Sequence, residues 1–363
     1  MDFRDEGSPV DAGLGPDTSP TVLGRLLWPL SVSYGVVASW RRRRGMARAR
    51  RLPVPVVSVG NITCGGTGKT PTVEMIVRDL LERGRRPAVL SRGYRAGLRS
   101  EDCREVVNDE YLVLAENLDG VPQFPGRERF HTGTRAIDEG ADVIVLDDGF
   151  QHVRLVRDLD LVLLDSLRPF DNGYVLPAGL LREPTGALRH ADLIAITRCD
   201  LVGDARIARI RERVEQRFGK IPVVLFATQA IGWEDLRGRG HHQVEALEGC
   251  PVAVLHSIGN VAAFHATLDR LVVDRVQDHG FPDHHTYRPA EIASIAATVR
   301  GAGLDTVVMT QKDSVKLRGE EFLAPMQGLR WLALRIRQSV RDGRPLYEAA
   351  LDRALGVYPP SPL

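Results

Sequence analysis

The chain has 363 residues, of which 43% are hydrophobic and 26% are charged, a balance that is ordinary for a globular protein. This composition excludes a polytopic membrane protein and a largely disordered chain, and the length favours two domains. The 48 Lys and Arg residues against 47 Asp and Glu residues leave a net charge of +1, so nothing indicates a general nucleic-acid binder. The four cysteines are scattered, which indicates reduced thiols rather than a disulfide framework.

The N-terminal segment is the one candidate for contact with a membrane. Residues 1–20 are rich in Gly, Pro, Asp and Ser, and we expect them to be disordered. Residues 26–40 carry no charge but are too few to span a bilayer, which needs about 20 apolar residues. Seven arginines follow between positions 41 and 51, whereas a secretory signal peptide carries its positive charge before the apolar stretch. A cleaved signal peptide is therefore excluded.

Aromatic rings and arginines give this segment the character of a membrane-surface helix. Trp28, Tyr34 and Trp40 suit the interface between lipid and water, and the arginines suit anionic head groups. We therefore expect residues 21–51 to form an amphipathic helix and basic segment that lie on the membrane surface. The alternative is an ordinary amphipathic helix that packs on the neighbouring domain.

Short apolar runs recur along the rest of the chain and predict strands that are buried on both faces of a parallel sheet. Stretches with helical periodicity lie between these runs. The predicted strands are residues 54–59, 87–90, 143–146, 161–164, 193–196, 223–226, 252–255, 306–309 and 331–334. The predicted helices are residues 72–82, 205–218, 264–272 and 289–299. The pattern is that of an α/β protein.

A glycine-rich loop follows the first predicted strand and opens the first predicted helix. Its candidate ATP-binding residues are Thr63, Cys64, Gly65, Gly66, Thr67, Gly68, Lys69 and Thr70. Glycines let successive backbone N–H groups surround phosphate oxygens, and the helix N-terminus adds its positive end. Lys69 can reach the β- and γ-phosphates, and the Thr70 hydroxyl can bind Mg²⁺. The strict pattern has a glycine where Thr63 stands, and Gly65 and Gly66 supply the flexibility instead.

A second nucleotide motif lies at residues 143–149, where an apolar strand ends in two acids. Nucleotide-hydrolysing proteins of this class place a carboxylate beside Mg²⁺ in this way. Asp147 and Asp148 are therefore candidate metal ligands, and the sequence does not decide which of them touches the ion. The two motifs together predict that the chain binds a nucleoside triphosphate with Mg²⁺.

Two other classes of nucleotide-binding protein stay open at this point. The loop is similar to that of partition-type ATPases, but Cys64 stands where those proteins carry a signature lysine. Residues 197–200 (T-R-C-D) are similar to the guanine motif of GTPases, with Arg198 in place of its lysine. The alternatives are thus a membrane-associated switch GTPase and a partition-type ATPase.

A wider set of motifs resembles the tetraacyldisaccharide 4′-kinase family, the lipid A 4′-kinases. The matching segments are residues 57–71, 90–94, 108–110, 146–152, 176–179, 181–184, 281–285 and 309–313. The resemblance extends from about residue 20 to about residue 340, and the N-terminal apolar helix with its basic segment belongs to it. The chain departs from the family at residues 108–111, where it reads N-D-E-Y instead of G-D-E-P. The acidic pair is kept, while the geometry of that loop is put in question.

The resemblance implies a kinase reaction at a membrane. The γ-phosphate of ATP would pass to the 4′-hydroxyl of a tetraacyldisaccharide 1-phosphate, and the product would be lipid IVA. The implied cofactors are ATP and Mg²⁺, and the implied partners are the acylated lipid and an anionic membrane surface, with no nucleic acid. We expect a monomer that is peripheral to the cytoplasmic face of the inner membrane.

The resemblance also assigns roles to particular residues. Asp109 would accept the proton of the hydroxyl, and His284 would be oriented against it from the second domain. The remaining candidates are Glu183, as a further Mg²⁺ ligand, Arg129 and Arg182, as phosphate ligands, Gln151 and His152, which would orient the strand end, and Lys312, which would line the cleft.

These motifs fix the expected organisation of the chain. A P-loop NTPase-like domain with a parallel sheet would be followed by a smaller α/β domain. The expected segments are 1–20 (disordered), 21–51 (membrane-surface helix and basic segment), 52–228 (kinase domain), 229–250 (linker), 251–350 (C-terminal α/β domain) and 351–363 (tail).

Overall fold

The structure is a computed structural model that describes residues 22–93, 98–100, 103–237 and 240–356. The described residues divide into two units. Those of the first unit fall within Met1–Arg92, Gly120–Thr228 and Gln338–Leu363, and those of the second within Gly93–Asp119 and Gln229–Arg337. Three predicted features lie outside the described residues. They are the segment predicted to be disordered (1–20), Tyr94 of the family motif at residues 90–94, and the last seven residues of the predicted tail.

The α-helices are α1 (Val22–Met46), α2 (Lys69–Glu82), α3 (Asp109–Asn117), α4 (Arg129–Asp138), α5 (Asp204–Phe218), α6 (Val261–Arg270), α7 (Pro289–Gly301), α8 (Gln311–Ser314) and α9 (Arg344–Ala354). The strands are β1 (Val56–Asn61), β2 (Pro87–Ser91), β3 (Leu98–Ser100), β4 (Cys103–Val107), β5 (Gln123–Pro125), β6 (Val143–Asp147), β7 (Leu159–Asp165), β8 (Leu193–Thr197), β9 (Val223–Asp235), β10 (His241–His242), β11 (Pro251–His256), β12 (Asp274–Gly280), β13 (Thr306–Thr310) and β14 (Arg330–Asp342).

The first unit is built on a parallel sheet. Its strands lie in the order β9, β8, β7, β1, β6, β2 and β5, and each is parallel to its neighbours. Every residue of β1, β2, β6, β7 and β8 is buried. Helix α2 contacts β1, β2 and β6, and α9 contacts β1 and β7. Because helices cover the sheet, its strands read as continuous apolar runs.

The second unit repeats this architecture on a smaller scale. Strands β12, β11, β13 and β14 lie in that order and are parallel. Alternate residues of β11 enter two different cores, because successive side chains of a strand point to opposite faces. Val252 and Val254 pack with Phe264 of α6, whereas Ala253 and Leu255 belong to the cluster formed with α7.

The α/β fold class is confirmed, and every predicted strand and helix overlaps an observed one. The predicted boundaries differ from the two units. Residues 93–119, expected in the first domain, belong to the second unit, and the division falls within β9 and β14. The expected linker contains the end of β9 and all of β10. The predicted tail begins inside α9, whose apolar Leu351 is fully buried.

Helix α1 packs on the first unit with an unusual distribution of side chains. Its buried positions include Ser31, Gly35, Arg42 and Gly45. Its outer stripe consists of the exposed side chains Leu26, Leu30, Val37 and Trp40, which recur at helical spacing. A surface helix normally buries its apolar stripe. In α1, by contrast, the apolar stripe is exposed, and the buried positions carry small or polar residues. In the described part of the chain, no helix is long and apolar enough to cross a membrane.

We predict that two adjacent leucines of α2 differ sharply in their contribution to stability. Leu80 is 0% exposed and Leu81 is 44% exposed. Leu80→Ala leaves a cavity and should lower the free energy of unfolding by about 2–5 kcal/mol. Leu81→Ala is the matched control and should stay within about 0.5 kcal/mol. Denaturant unfolding of both variants measures the difference, and equal losses would contradict the packing of α2.

Candidate active site

The glycine-rich loop joins the end of β1 to the start of α2. Gly65 and Gly68 adopt positive φ angles of 100° and 87°, which side chains with a Cβ rarely tolerate. Gly68 caps α2, so the helix begins at Lys69 with its N-terminus towards the loop. The loop therefore has the local conformation of a phosphate-binding site at a helix N-terminus.

Neighbouring backbone and side chains hold this loop in place. The Cys64 N–H donates to the Leu180 carbonyl at 2.7 Å. The Thr197 hydroxyl donates to the Thr67 carbonyl at 2.9 Å, and the Arg198 guanidinium donates to the Gly66 carbonyl at 2.8 Å. Each of these contacts uses a backbone group of the loop. The loop shape is thus fixed by the surrounding structure.

The T-R-C-D segment, which resembles a guanine motif, has a structural role here. Thr197 and Arg198 bind the loop backbone, and Arg198 also pairs with Asp165. Asp200 accepts a hydrogen bond from the Thr228 N–H at 2.8 Å. A guanine-binding aspartate needs its carboxylate available for the base, whereas that of Asp200 binds the backbone. The GTPase alternative is therefore not favoured.

The two acids of the second motif lie beside the loop because β6 is the parallel neighbour of β1. Asp147 is paired in register with Val59, so the carboxyl ends of the two strands meet. Asp147 is buried, and Asp148 follows it with a positive φ of 55°. A positive φ at a residue other than glycine costs about 1–3 kcal/mol and is common at functional sites. The Lys69 ammonium lies 3.6 Å from Asp148 Oδ1.

Arg182 completes this group of charges. Its Nη1 donates to both carboxylate oxygens of Asp148 at 2.8 Å. Burial alone would raise the pKa of Asp148, but the positive charges of Lys69 and Arg182 lower it to about 2. Asp148 is therefore ionised at neutral pH. The structure brings together Lys69, Asp148 and Arg182 from three separate motifs.

Arg129, a predicted phosphate ligand, is buried and lies within electrostatic range of the same acids. Its Nη1 donates to the Gly126 carbonyl. Burial lowers the pKa of Arg129 to about 10, although the charges of Asp147 and Asp148 act in the opposite direction. The guanidinium stays protonated and contributes a positive charge near the two acids.

Glu183 is paired with the N-terminal helix. Its carboxylate accepts from Arg42 Nη1 at 3.0 Å, and both side chains are buried. Arg42 Nη1 also donates to the Phe150 carbonyl at 3.1 Å. Burial raises the pKa of Glu183, although Arg42 opposes this. This ion pair links Glu183 to α1, and the role of Glu183 as a metal ligand stays a prediction.

Gln151 and His152 follow the second motif. The Gln151 side chain donates to the Asn61 carbonyl at 2.8 Å, at the end of β1. Burial, together with nearby arginines, lowers the pKa of His152 to about 4, so its ring is neutral at pH 7. Gln151 therefore links the segment that follows β6 to the end of β1, and the orienting role of Gln151 and His152 stays a prediction.

The second unit brings Asp109 and His284 together although they are 175 residues apart. His284 Nδ1 lies 3.0 Å from Asp109 Oδ1 and 3.1 Å from Asp109 Oδ2. Asp109 opens α3, and His284 has a positive φ of 61°. The Asp109 side chain is only 3% exposed, whereas His284 is 48% exposed. The pair forms within one unit, so the predicted placement of its members in two domains is wrong.

Charges around the pair stabilise the ionised carboxylate. Burial would raise the pKa of Asp109, but the hydrogen bond from His284 and the charges of Lys312 and Lys316 hold it well below its usual range. The same hydrogen bond raises the pKa of His284. The pair therefore favours a negative carboxylate and a ring that binds a proton readily.

Two lysines four residues apart lie next to the pair. Lys312 donates to Glu110 at 2.6 Å, and Lys316 lies 3.4 Å from Asp109 Oδ2. Lys316 also donates to the Ser257 hydroxyl at 2.7 Å. Sequence reasoning singled out Lys312 and missed Lys316. The spacing of the two lysines, which suits one helical face, was the available signal.

Comparison with known proteins identifies the family. The family model described as tetraacyldisaccharide-1-P 4′-kinase (LpxK) matches residues 23–356. The chain belongs to the tetraacyldisaccharide-1-P 4′-kinase family. A tetraacyldisaccharide 4′-kinase from Anaeromyxobacter sp. (strain K) is 38% identical over 330 residues, which cover 87% of this chain and 86% of the relative. A second from Geobacter metallireducens is 38% identical and covers 91% of this chain and 98% of the relative.

A solved structure of the same family has a similar fold. The "apo" form of LpxK from Aquifex aeolicus, crystallised in complex with ATP, is 25% identical to this chain. It covers 92% of this chain and 100% of its own length, with a TM-score of 0.67. The resemblance that the sequence motifs indicated is thus confirmed over most of the chain.

Proposed function

We propose that this chain transfers the γ-phosphate of ATP to the 4′-hydroxyl of tetraacyldisaccharide 1-phosphate and so forms lipid IVA. The observation that carries the proposal is the family match across residues 23–356, which includes both the glycine-rich loop and the Asp109–His284 pair. Relatives that cover most of the chain bear the name of this kinase. Neither the GTPase nor the partition-type ATPase alternative has comparable support.

The first unit would bind ATP. The loop from Thr63 to Thr70 would surround the β- and γ-phosphates with backbone N–H groups, and the N-terminus of α2 would add its positive end. Lys69 would neutralise charge that grows on the transferring phosphoryl group. The family structure crystallised with ATP supports this nucleotide. Arg182 would bind a phosphate group. The charge of Arg129 would stabilise the carboxylates of Asp147 and Asp148.

The donors beside the loop fit Mg²⁺, a hard cation that prefers oxygen ligands. The Thr70 hydroxyl and one of the two carboxylates of Asp147 and Asp148 would hold it, whereas Glu183 is paired with Arg42. Asp148 is bound by Arg182 and lies near Lys69, so we propose Asp147 for the direct contact. When bound, the ion would withdraw charge from the phosphate oxygens.

The second unit would supply the proton acceptor. The 4′-oxygen attacks the γ-phosphorus, the bond from that phosphorus to the β-phosphate oxygen breaks, and ADP leaves. The proton of the hydroxyl passes to the Asp109–His284 pair. Asp109 is buried and accepts from His284 Nδ1, which leaves Nε2 of the half-exposed ring to meet the hydroxyl. Asp109 would fix the ring and stabilise its protonated form. The geometry favours His284 as the base, whereas the family resemblance implied that Asp109 itself is the base.

The outer stripe of α1 would place the enzyme on the membrane that contains its lipid substrate. Leu30, Val37 and Trp40 are exposed. Burial of these apolar side chains in lipid would be energetically favourable. The exposed arginines that follow, among them Arg43 and Arg44, suit anionic head groups. A helix of this kind lies in the membrane surface. We propose that the chain is peripheral to the cytoplasmic face of the inner membrane.

We predict that Lys69→Ala lowers kcat by about 10²–10³-fold without unfolding the protein, because Lys69 acts on charge that develops during transfer. The assay follows phosphate transfer from ATP–Mg²⁺ to detergent-dispersed tetraacyldisaccharide 1-phosphate. Lys220→Ala changes an exposed lysine of the same unit and serves as the control. Near-normal turnover in Lys69→Ala would overturn the assignment of the ATP site.

We predict that Asp109→Asn and His284→Ala each lower kcat by about 10²–10⁴-fold, with little change in KM for ATP. The double variant should be little worse than the poorer single variant, because residues that act as a unit are not additive. His241→Gln, an exposed histidine of the same unit, is the control. Effects that simply multiply would show that the two residues act independently.

The pH profile separates the two possible proton acceptors. Protonated His284 cannot accept a proton, so kcat should fall as the pH drops through its raised pKa. Asp109→Asn removes the charge that raises this pKa, so the acidic limb of the residual activity should move to lower pH. A limb that stays in place would show that His284 is not the titrating base.

We predict that Leu30→Glu/Trp40→Glu weakens binding to vesicles that contain anionic lipid, because both exposed side chains lie on the outer stripe of α1. Leu81→Glu/Leu346→Glu introduces the same charges on other exposed leucines of the first unit and is the control. Sedimentation with vesicles measures the bound fraction at low and high salt, since salt screens the arginine contribution. Equal binding of both variants would place the membrane contact elsewhere.

A further inference from the structure

Three side chains that the kinase reaction does not use converge in the second unit. They come from one β–α–β segment: His256 ends β11, His265 lies on α6, and Asp278 lies on β12. Strands β11 and β12 are parallel neighbours, with Val254 opposite Asp278. Helix α6 connects the two strands. The fold of this short segment is therefore sufficient to bring the three side chains together.

The geometry of the cluster is that of three donors around one point. His256 Nε2 lies 2.8 Å from Asp278 Oδ1, and His265 Nε2 lies 2.8 Å from Asp278 Oδ2. One ligand atom from each residue lies within 4.8 Å of the others. The two rings stand edge to face, with centroids 5.5 Å apart. Tetrahedral bonds of 2.0–2.1 Å would separate such donors by about 3.3 Å, so a small outward movement would admit an ion.

Hydrogen bonding within the described residues does not account for this arrangement. Two buried ring nitrogens, His256 Nδ1 and His265 Nε2, have no hydrogen-bond partner there. His265 Nε2 is close to Asp278 Oδ2 but does not have the direction of a hydrogen bond. Buried polar atoms of this kind are rare and call for an explanation. An ion bound between the rings and the carboxylate would use the lone pair of His265 Nε2.

The surroundings of the cluster leave space for the His256 ring and leave Asp278 accessible to solvent. A Cβ at Gly280 would come within 2.8 Å of His256 Cε1, so a larger residue there would displace the ring. Asp278 is 41% exposed, which gives an ion a way in from solvent.

We propose that His256, His265 and Asp278 form a Zn²⁺ site, with water as the fourth ligand. Two imidazoles and one carboxylate match the nitrogen and oxygen ligands of zinc, whereas Mg²⁺ prefers oxygen alone. This site is separate from the proposed Mg²⁺ ligands, all of which lie in the first unit.

The ion would tie β12 to α6 and to the end of β11. The His256 carbonyl accepts from the Phe281 N–H at 2.9 Å, and the adjacent Ser257 carbonyl accepts from the His284 N–H at 3.2 Å. The segment that carries His284 thus starts directly after the proposed site. Zn²⁺ would stabilise the second unit and this segment with it.

Competition with a chromophoric chelator tests the site in the full chain, with Zn²⁺ as the added ion. We expect one equivalent of Zn²⁺ to bind tightly to the wild type. Asp278→Asn and His265→Phe should each weaken it by about tenfold or more, since each removes a ligand while keeping the shape of the side chain. His279→Asn changes the next residue of β12, which is outside the cluster, and should bind like the wild type.

Co²⁺ gives a second readout, because the visible spectrum of this ion reports ligand type and geometry. We expect the wild type and His279→Asn to share a spectrum of four-coordinate Co²⁺ and Asp278→Asn to lose it. Zn²⁺ should also raise the thermal unfolding midpoint of the wild type and not that of Asp278→Asn. The proposal is overturned if no tight equivalent binds, or if Asp278→Asn and His265→Phe bind Zn²⁺ as the wild type does.

Discussion

The parallel pairing of β1 with β6 is the constraint on which the nucleotide site depends. It aligns Val59 with Asp147, so the strand that leads into the glycine-rich loop ends beside the strand that leads into the two acids. Strands buried on both faces cannot shift in register without moving apolar side chains into the wrong environment. The 3.6 Å approach of Lys69 to Asp148 is therefore set by the core of the sheet, and Arg182 joins it from a third segment.

The surrounding structure also determines the properties of the Asp109–His284 pair, in this case through charge. A carboxylate with 3% exposure would not stay ionised without partners, and three positive or donating groups from distant segments supply them. The resulting carboxylate then raises the proton affinity of the more exposed ring. Burial of one partner and exposure of the other give the pair a direction, from the interior towards solvent, which a pair of equally exposed residues would not have.

Much of the fold could be predicted from local pattern, because buried parallel strands and glycine-rich turns leave clear signals in sequence. The strand at 143–146 and the loop ending at Thr70 are examples. Contacts between distant segments left no such signal. Nothing in the spacing shows that residues 93–119 belong with the second unit or that Arg42 meets Glu183. Asp109 and His284 were found only through family resemblance, since 175 residues separate them.

The buried ion pair between Arg42 and Glu183 makes the N-terminal helix a structural part of the first unit. Ser31 also accepts from the Ala178 N–H, and Tyr34 donates to the Arg182 carbonyl, so α1 supports the segment that carries Arg182. Removing one partner of a buried ion pair typically costs about 3–5 kcal/mol. A shortened chain without α1 would therefore leave Glu183 buried and unpaired, and the segment that carries Arg182 would lose two hydrogen bonds. Helix α1 is therefore required for the folded structure of the first unit and cannot be removed without affecting it.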